Sequence, residues 1–345
     1  RFHTKGGHGE TARQSPGAER SSMREGKKTQ IYCGIGGQAV IEGIMMKNGE
    51  DYAVGVRKPD GEITVKKERY VSLTDRYRFL RLPLIRGVFS FWDSLRLGMR
   101  CLSFSASFFE DDEGTEASAF EKWMDRTFGE RAASVLSSIV IAFSFLAALL
   151  LFVLLPTLLI GQLKRFLPSE SLLALLEGLL RVLIFIAYLK LVSRSRDVRR
   201  TFEYHGAEHK CINCIEHGLP LTVDNVALSS KEHKRCGTSF LVYVMLISIL
   251  LFMLLRFDSI LLKFLSRILL IPLIAGISYE LLRLVGLWDN ALTRLLFVPG
   301  MWMQGLTTKE PDRSEIEVAI AAVEAVFDWR KWEREKFPEE SGGAL

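Results

Sequence analysis

Residues 135–160 read VLSSIVIAFSFLAALLLFVLLPTLLI, an unbroken run without a charged side chain. A helix of this length can cross a bilayer, because about 20 apolar residues span the hydrocarbon core. Three later segments have a similar composition, at residues 172–192, 239–255 and about 260–284. The sequence therefore predicts an α-helical integral membrane protein with about four transmembrane helices, and the lipid bilayer as its partner.

Basic residues predict how these spans are oriented. The turns after the first and third spans are short and carry few basic residues, whereas the segment after the second span is rich in them. Because cytoplasmic loops carry an excess of Lys and Arg, we expect residues 193–238 and both chain termini on the cytoplasmic side of the cell (inner) membrane. The residues behind this argument are Lys190, Arg194, Arg196, Arg199 and Arg200, against one acidic residue, Asp197.

Charged residues also occur inside the predicted spans. Glu177 and Arg181 lie four positions apart in the second span, where a helix places them side by side as a neutralising pair. In the fourth span, Lys263 and Arg267 are expected to extend toward the membrane surface. A transporter function would rest on the intramembrane pair alone, since no internal repeat accompanies it.

Composition limits the class of protein. The chain has 345 residues, with 45 Lys and Arg against 40 Asp and Glu, and a net charge of +5. Residues 1–30 hold +4 of this charge, so the remainder does not fit a nucleic-acid-binding protein. Residues 1–30 also lack the apolar core of a secretory signal. We expect them to form a disordered leader, which would not be translated in full if the protein starts at Met23. Five cysteines, an odd number, favour a reducing compartment.

The pattern of apolar and polar segments divides the chain into further parts. Residues 31–134 are expected to form a small cytoplasmic α+β unit at the membrane surface. Residues 135–285 form the predicted membrane domain, which includes the cytoplasmic loop 193–238. Residues 286–345 are expected to hold an interfacial segment and a C-terminal amphipathic helix.

Local signals add detail to the two outer parts. Residues 58–61, KPDG, predict a turn between two strands, and Pro83 predicts the start of a helix. Ser314 and Glu317 form a capping box that would open the C-terminal helix. Glu42 lies among apolar residues, so we expect its carboxylate to pair with a nearby Arg or Lys.

Residue types that bind metal ions are concentrated in the loop 193–238. Four of the six histidines and three of the five cysteines of the chain lie there. Such a concentration is unusual for residues placed without a shared role. They are His205, His209, His217, His233, Cys211, Cys214 and Cys236.

The string HGAEH, which begins at His205, has the form H-x-x-E-H. Each residue of a helix turns by about 100°, so His209 lies at roughly 40° and Glu208 at roughly 300° from His205. Two imidazoles on one face can bind one metal ion, and the carboxylate beside them can reach a metal-bound water. This inverted zincin arrangement predicts zinc, with Glu208 as general base. Cys211 and Cys214 point away from that face.

A catalytic zinc ion needs a third protein ligand and an open position. The candidates for this ligand are Glu216, His233, Cys236 and Glu280. Glu280 lies at the predicted cytoplasmic end of the last span and suits such a site, and Glu216 shares the helix face of the two histidines. His233 and Cys236 would instead complete a closed tetrahedron with His205 and His209, which is typical of structural zinc. The spacing of these residues leaves both outcomes open.

Six strings along the chain are distinctive enough to compare with known families. They are GGQAVIEGIMM from Gly36, PLIRG from Pro83, YHGAEHK from Tyr204, RCGTSF from Arg235, AGISYE from Ala275 and LTTKEP from Leu306. Together they resemble the YqhQ family of bacterial membrane proteins, a family of unknown function described as predicted metal-dependent enzymes. The resemblance covers about residues 33–322. It implies a membrane protein with a metal site at His205, Glu208 and His209, but no particular substrate.

Two functions follow from these patterns. The first is a membrane-associated metal-dependent hydrolase with a peptidase-like site, in which Glu208 is the catalytic base. The alternative is a non-enzymatic scaffold or accessory of another membrane protein, stabilised by a structural His/Cys zinc site. The substrate, the identity of the metal and the oligomeric state are left open.

Overall fold

The computed structural model describes residues 30–109, 132–255, 259–287 and 290–338, so the predicted disordered leader lies outside the described residues except for its last position. The N-terminal part is a four-stranded antiparallel sheet in the order β1-β2-β3-β4, in which each strand pairs with the next. The strands are β1 (Ile35–Val40), β2 (Gly43–Asn48), β3 (Asp51–Arg57) and β4 (Ile63–Arg69). The predicted turn at residues 58–61 joins β3 to β4, and Gly61 adopts a φ of +87° there.

Helices make up the rest of the described fold. Before the spans, α1 (Leu73–Arg76) and the 3₁₀ turn Arg78–Arg81 lead into α2 (Ile85–Ala106). The helices that follow are α3 (Ala132–Leu149), the π-helical segment Leu150–Leu154, α4 (Leu155–Gly161), the 3₁₀ turn Gln162–Arg165, α5 (Glu170–Val192), α6 (Arg196–Glu216), α7 (Val223–Leu228), α8 (Gly237–Leu254), α9 (Ile260–Leu287), α10 (Ala291–Thr307), α11 (Arg313–Val326) and α12 (Trp329–Lys336).

Within the described residues, four helical segments are long and apolar enough to cross a membrane, which agrees with the predicted number of candidate spans. Many of their large apolar side chains are exposed, for example Phe143 and Leu269. Such a surface suits contact with lipid rather than with water. We call the segments spans 1 to 4: Ser138–Arg165, Glu170–Val192, Gly237–Leu254 and Leu261–Leu287.

Three of the charged residues inside the spans, Glu177, Arg181 and Arg267, form one largely buried group. The predicted pair is present, with Arg181 Nη2 3.1 Å from Glu177 Oε1. The expectation that Arg267 extends to the membrane surface is wrong, because its Nη2 lies 2.6 Å from Glu177 Oε2 between the spans. A buried carboxylate needs charged or hydrogen-bonding partners, and span 4 supplies the second one. Lys263 lies nearer the end of its helix and reaches Glu170 at 3.2 Å.

The sheet has two apolar faces because successive residues of a strand point to opposite sides. One face packs against α6 and α11 and forms the main hydrophobic core of the described residues. Ile44, Met46 and Ala53 from the sheet meet Ala207 from α6 and Val323 from α11 there, all fully or almost fully buried. The fold therefore joins three chain segments that are far apart in sequence. The boundaries of the parts into which the sequence divides the chain stay a prediction. The N-terminal sheet shares one core with α6 and α11.

The opposite face of the sheet packs against α2. Met45 and Val54 from the sheet contact Leu97 and Cys101 from the helix. Trp92, on the outer side of α2, is exposed, so the helix has one packed face and one apolar outer face. The helix begins at Ile85, two residues after the predicted start at Pro83. Leu84, which lies between them, adopts a φ of +68° and is not helical.

The C-terminal helices are shorter than expected and start differently. The chain forms α11 and α12 rather than one helix, and the predicted capping box of Ser314 and Glu317 is wrong. Asp312 caps α11 by accepting from the backbone N–H of Glu315, and the Glu315 side chain accepts from the Asp312 N–H in return. Glu315 is buried in this arrangement.

Glu42 has the basic partner that the sequence predicts. Arg200 on α6 makes two hydrogen bonds to the Glu42 carboxylate.

Candidate metal centre

The H-x-x-E-H string lies on α6, as its helical interpretation requires. The C-terminal half of α6 is buried against the sheet and α11, which fixes the direction in which its side chains point. His205 and His209 lie one turn apart, with their ring centroids separated by 4.5 Å. The predicted shared face of the two imidazoles is therefore present in the folded chain.

Cys236 joins the two histidines from the start of span 3. Its Sγ lies 3.3 Å from His205 Nε2. Candidate ligand atoms of His205, His209 and Cys236 all lie within 4.8 Å of one another, so this cluster could hold a metal ion. Cys236 is also the N-cap of α8, where its Sγ accepts from the backbone N–H of Thr238 at 3.3 Å.

Backbone carbonyl groups orient both imidazoles. His205 Nδ1 lies 3.0 Å from the carbonyl oxygen of Thr307, and His209 Nδ1 lies 2.7 Å from that of Lys231. A carbonyl oxygen only accepts, so each Nδ1 must carry the proton and donate it. Each Nε2 then has its lone pair available to a metal ion, as in most histidine-ligated sites. Burial lowers the pKa of His209, which keeps its ring neutral and able to coordinate.

Glu208 lies beside the cluster and is almost fully buried. Burial raises the pKa of its carboxyl group, and the His205 and His233 rings and the backbone N–H of Gly37 oppose this effect only partly. A Cβ at Gly37 would lie 3.0 Å from Glu208 Cδ and 2.7 Å from the carbonyl oxygen of Met45, so glycine lets β1 approach this closely. β1 thus holds the carboxylate in place.

A cavity of about 890 Å³ opens beside the cluster. Its walls come from β1, from the face of α6 that carries His205, Glu208 and His209, and from the start of span 3. The cavity gives a substrate-sized molecule access to the cluster and to Glu208. The lining of the cavity includes the cluster residues His205, His209 and Cys236 and the neighbouring residues Gly37, Glu208 and Arg235.

His233 and Glu216 form a separate buried pair beside the cluster. His233 Nδ1 accepts from the backbone N–H of Arg235 at 3.4 Å, so Nε2 carries the proton and donates to Glu216 Oε2 at 3.3 Å. Glu216 also accepts from the Cys33 N–H at 3.2 Å and from Arg235 Nη1 at 3.3 Å. Burial raises the pKa of Glu216, but these partners outweigh it and the pKa is lowered overall. Both residues therefore have partners other than a metal ion.

Glu280 lies at the packing contact between α2 and span 4. Its carboxylate forms two hydrogen bonds with the Arg86 guanidinium and accepts from the backbone N–H of Leu84 at 3.2 Å. A Cβ at Gly276, one turn earlier in span 4, would lie 2.6 Å from the carbonyl oxygen of Leu84. The strings PLIRG and AGISYE thus contact each other, and the structure does not bring Glu280 into the cluster.

The remaining candidates on α6 lie away from the cluster. Cys211 and Cys214 are buried in the main core, as their helical angle predicts. His217 Nδ1 lies 2.7 Å from the carbonyl oxygen of Asn213 at the end of the helix. Sequence reasoning missed the carbonyl groups of Lys231 and Thr307, since any residue type provides a carbonyl. Gly206, between the two histidines, was the one readable signal of a close backbone approach.

We expect the substitution Gly206→Ala to destabilise the protein by about 3 kcal/mol, or to prevent folding, because overpacking against a rigid group is costly. A Cβ at Gly206 would lie 2.0 Å from the backbone carbonyl oxygen of Lys309. Helix propensity alone predicts the opposite sign, a gain of about 1 kcal/mol. Thermal unfolding in detergent measures the difference.

Gly305→Ala is the matched control for this prediction. Gly305 also lies inside a helix, α10, but a Cβ there meets open space. This variant should keep or slightly raise the melting temperature. Equal melting temperatures for both variants would contradict the contact between residue 309 and α6.

Two comparisons relate the chain to known proteins. Residues 82–329 match the family described as "Protein of unknown function (DUF1385)". The chain belongs to this family. The uncharacterized protein YqhQ of Bacillus subtilis (strain 168) is 33% identical over 295 residues, which cover 85% of this chain and 92% of the relative. No solved structure matches the chain.

The DUF1385 match includes His205, His209 and Cys236, all four candidate spans and α11. The predicted resemblance to the YqhQ family is thereby confirmed. Neither comparison carries an activity, a metal or a substrate, so any function must be argued from the site itself.

Proposed function

We propose that this protein is a membrane-bound metal-dependent hydrolase whose zinc ion is held by His205, His209 and Cys236. The observation that carries the proposal is the incomplete ligand set. Three candidate ligands converge beside a cavity, while both ring nitrogens of His233 are engaged by other groups. Zinc with three protein ligands keeps a fourth position for water or substrate, which is typical of catalytic sites.

The donor atoms favour zinc among the common metal ions. Two imidazole nitrogens and one thiolate sulfur suit zinc, whereas magnesium and calcium prefer oxygen ligands. The hydrogen bonds from each Nδ1 to a carbonyl group orient the rings before a metal ion binds. Such preorganisation lowers the cost of assembling the site.

Glu208 is the proposed general base. Zinc, when bound, supplies a water of lowered pKa beside the carboxylate. Burial raises the pKa of Glu208 toward the working range of a group that first takes a proton and then returns it. The backbone N–H of Gly37 restrains the carboxylate, and the cavity gives the reacting group access to it.

The wall formed by β1 supports a peptide-like substrate. β1 is at the edge of the described sheet and pairs with β2 alone. Five consecutive residues of this strand, from Ile35 to Ala39, line the cavity. An extended chain can add to such an edge through backbone hydrogen bonds. We propose that this site faces the cytoplasm, in line with the basic residues that follow span 2.

The open position can be tested without knowing the substrate. We would replace the metal with Co²⁺, record the visible spectrum, and add acetohydroxamate as a small anionic ligand. An open site should bind the hydroxamate and change the cobalt spectrum, and the His233→Ala variant should respond in the same way. A cobalt spectrum that shows four protein ligands and does not respond would favour the structural zinc site of a scaffold protein.

A further inference from the structure

A second charged group lies at the other end of the spans from the metal cluster. Glu177 on span 2 accepts from Thr157 Oγ1 of span 1 at 3.0 Å and binds Arg181 and Arg267 at 3.1 and 2.6 Å. Arg267 and Thr157 are also hydrogen-bonded to each other. Arg267 and Glu177 are 8% and 7% exposed. This group ties together three spans.

The charges of this group do not balance. Two guanidinium groups share one carboxylate, which leaves one positive charge within the described cluster. Both guanidinium groups lie over the ring of Phe252, at 5.5 and 5.3 Å from its centroid. An aromatic face stabilises a cation only modestly. An uncompensated charge among apolar helices is costly, so a bound anion would stabilise this arrangement.

Two cavities meet at the same residues. A cavity of about 270 Å³ has five charged side chains in its lining, those of Lys164, Glu170, Glu177, Lys263 and Arg267. A second cavity, of about 260 Å³, is lined almost entirely by apolar side chains together with Arg181 and Arg267. Arg267 and Phe252 line both cavities.

The apolar cavity extends along span 3. Its lining runs from Phe252 to Phe240, twelve positions apart, which corresponds to about 18 Å of helix. Ile271 on span 4 lines it and is 51% exposed, so the cavity faces the outside of the bundle. An elongated apolar group can enter such a cavity from the side.

We propose that the two cavities together bind an anionic lipid. Its acidic headgroup occupies the charged cavity beside Arg267 and neutralises the excess positive charge, and an acyl chain lies in the apolar cavity along span 3. The site would lie in the leaflet opposite the His205/His209/Cys236 cluster, because Glu177 is near the first residue of span 2, Glu170, whereas the cluster residues follow its last residue, Val192. The lipid site does not depend on the proposed hydrolase activity.

Lipid titration by native mass spectrometry tests the site on the full-length protein in a non-ionic detergent. Phosphatidylglycerol should bind about tenfold more tightly than phosphatidylcholine, which corresponds to about one charged contact. Arg181→Gln leaves Glu177 paired with Arg267 and removes the excess charge, so the preference for phosphatidylglycerol should disappear. Lys190→Gln, at the exposed opposite end of span 2, should bind both lipids as the wild type does.

A second variant and a competing anion keep the test informative even if Arg181→Gln does not fold. Ile271→Trp leaves the charged group intact and fills the apolar cavity, so it should weaken phosphatidylglycerol binding even if Arg181→Gln fails to fold. Equal binding of the two lipids by the wild type would overturn the proposal. Displacement of phosphatidylglycerol by millimolar inorganic phosphate alone would overturn it too, because the site would then bind a free anion.

Discussion

The purified protein is expected to carry about one zinc ion per chain, and His205→Ala and Cys236→Ala are each expected to lose it. His233→Ala is expected to keep it, since the structure engages both nitrogens of that ring with Arg235 and Glu216. Elemental analysis of the detergent-purified protein, with sulfur as the internal measure of protein, gives the stoichiometry directly.

The size of the effect follows from the number of ligands. Removing a residue that merely orients a ligand typically weakens metal affinity by about 10-fold to 100-fold. Removing one of three direct ligands should cost more, so His205→Ala and Cys236→Ala should be metal-free after dialysis against a mild chelator. Cys214→Ala is the control for loss of a buried thiol elsewhere, because Cys214 lies in the main core.

Different patterns of metal loss would support different sites. Loss in His233→Ala together with the two other variants would show the closed four-ligand site of a structural zinc protein. Retention in Cys236→Ala would remove the thiolate from the ligand set. Loss of zinc from Cys214→Ala would show that the measurement reports instability rather than coordination.

The part of the site that the sequence could predict is local. The positions of His205, Glu208 and His209 follow from helical spacing, which depends only on residues within one turn. The four spans follow from runs of apolar residues. The turn between β3 and β4 follows from Pro and Gly in the KPDG segment. Each signal lies within a short stretch of chain.

The part that the sequence could not predict is set by contacts between distant residues. All four candidates for a third ligand are residue types that can bind zinc, and only the fold brings Cys236 to His205 while Arg86 binds Glu280. The carbonyl group that orients His205 belongs to Thr307, 102 positions away. No residue type marks such a role, because every residue has a backbone carbonyl group.

Two capping-box patterns overlap at the start of α11. Ser314 with Glu317 and Asp312 with Glu315 are both capping boxes by spacing. The structure uses the second pair, which places Ile316, Ala319 and Val323 in the main core. The two signals are equivalent by spacing, so the sequence alone could not decide which residue caps α11.

Glu208→Gln is expected to keep the zinc ion and the fold, and to lower turnover by about 10²-fold to 10⁴-fold, the usual contribution of a general base. Glutamine keeps the size of the side chain and can still accept from the Gly37 N–H, but it cannot take a proton from water. The measurement is the rate of cleavage of fluorogenic peptides by wild type and variant, with zinc content determined on the same samples.

Glu203→Gln is the matched control, because Glu203 lies on α6 and binds Arg199 at its outer side. It should cleave as the wild type does. Full turnover by a zinc-loaded Glu208→Gln protein would show that Glu208 is not the base. Loss of zinc from this variant would instead make Glu208 part of the metal shell.

The thermal stability of Glu208→Gln can be compared with that of the wild type at several pH values, and this test needs no substrate. The folded-state pKa of Glu208 is raised by burial, so the native state binds a proton more tightly than the unfolded state. This group therefore stabilises the fold fully below its unfolded pKa, and that contribution is lost as the pH rises through the folded pKa. In metal-free protein, Glu208→Gln should thus gain melting temperature relative to the wild type as the pH increases from acidic to neutral. A difference that does not change with pH would mean that Glu208 is not held in a buried, proton-binding environment in the metal-free protein.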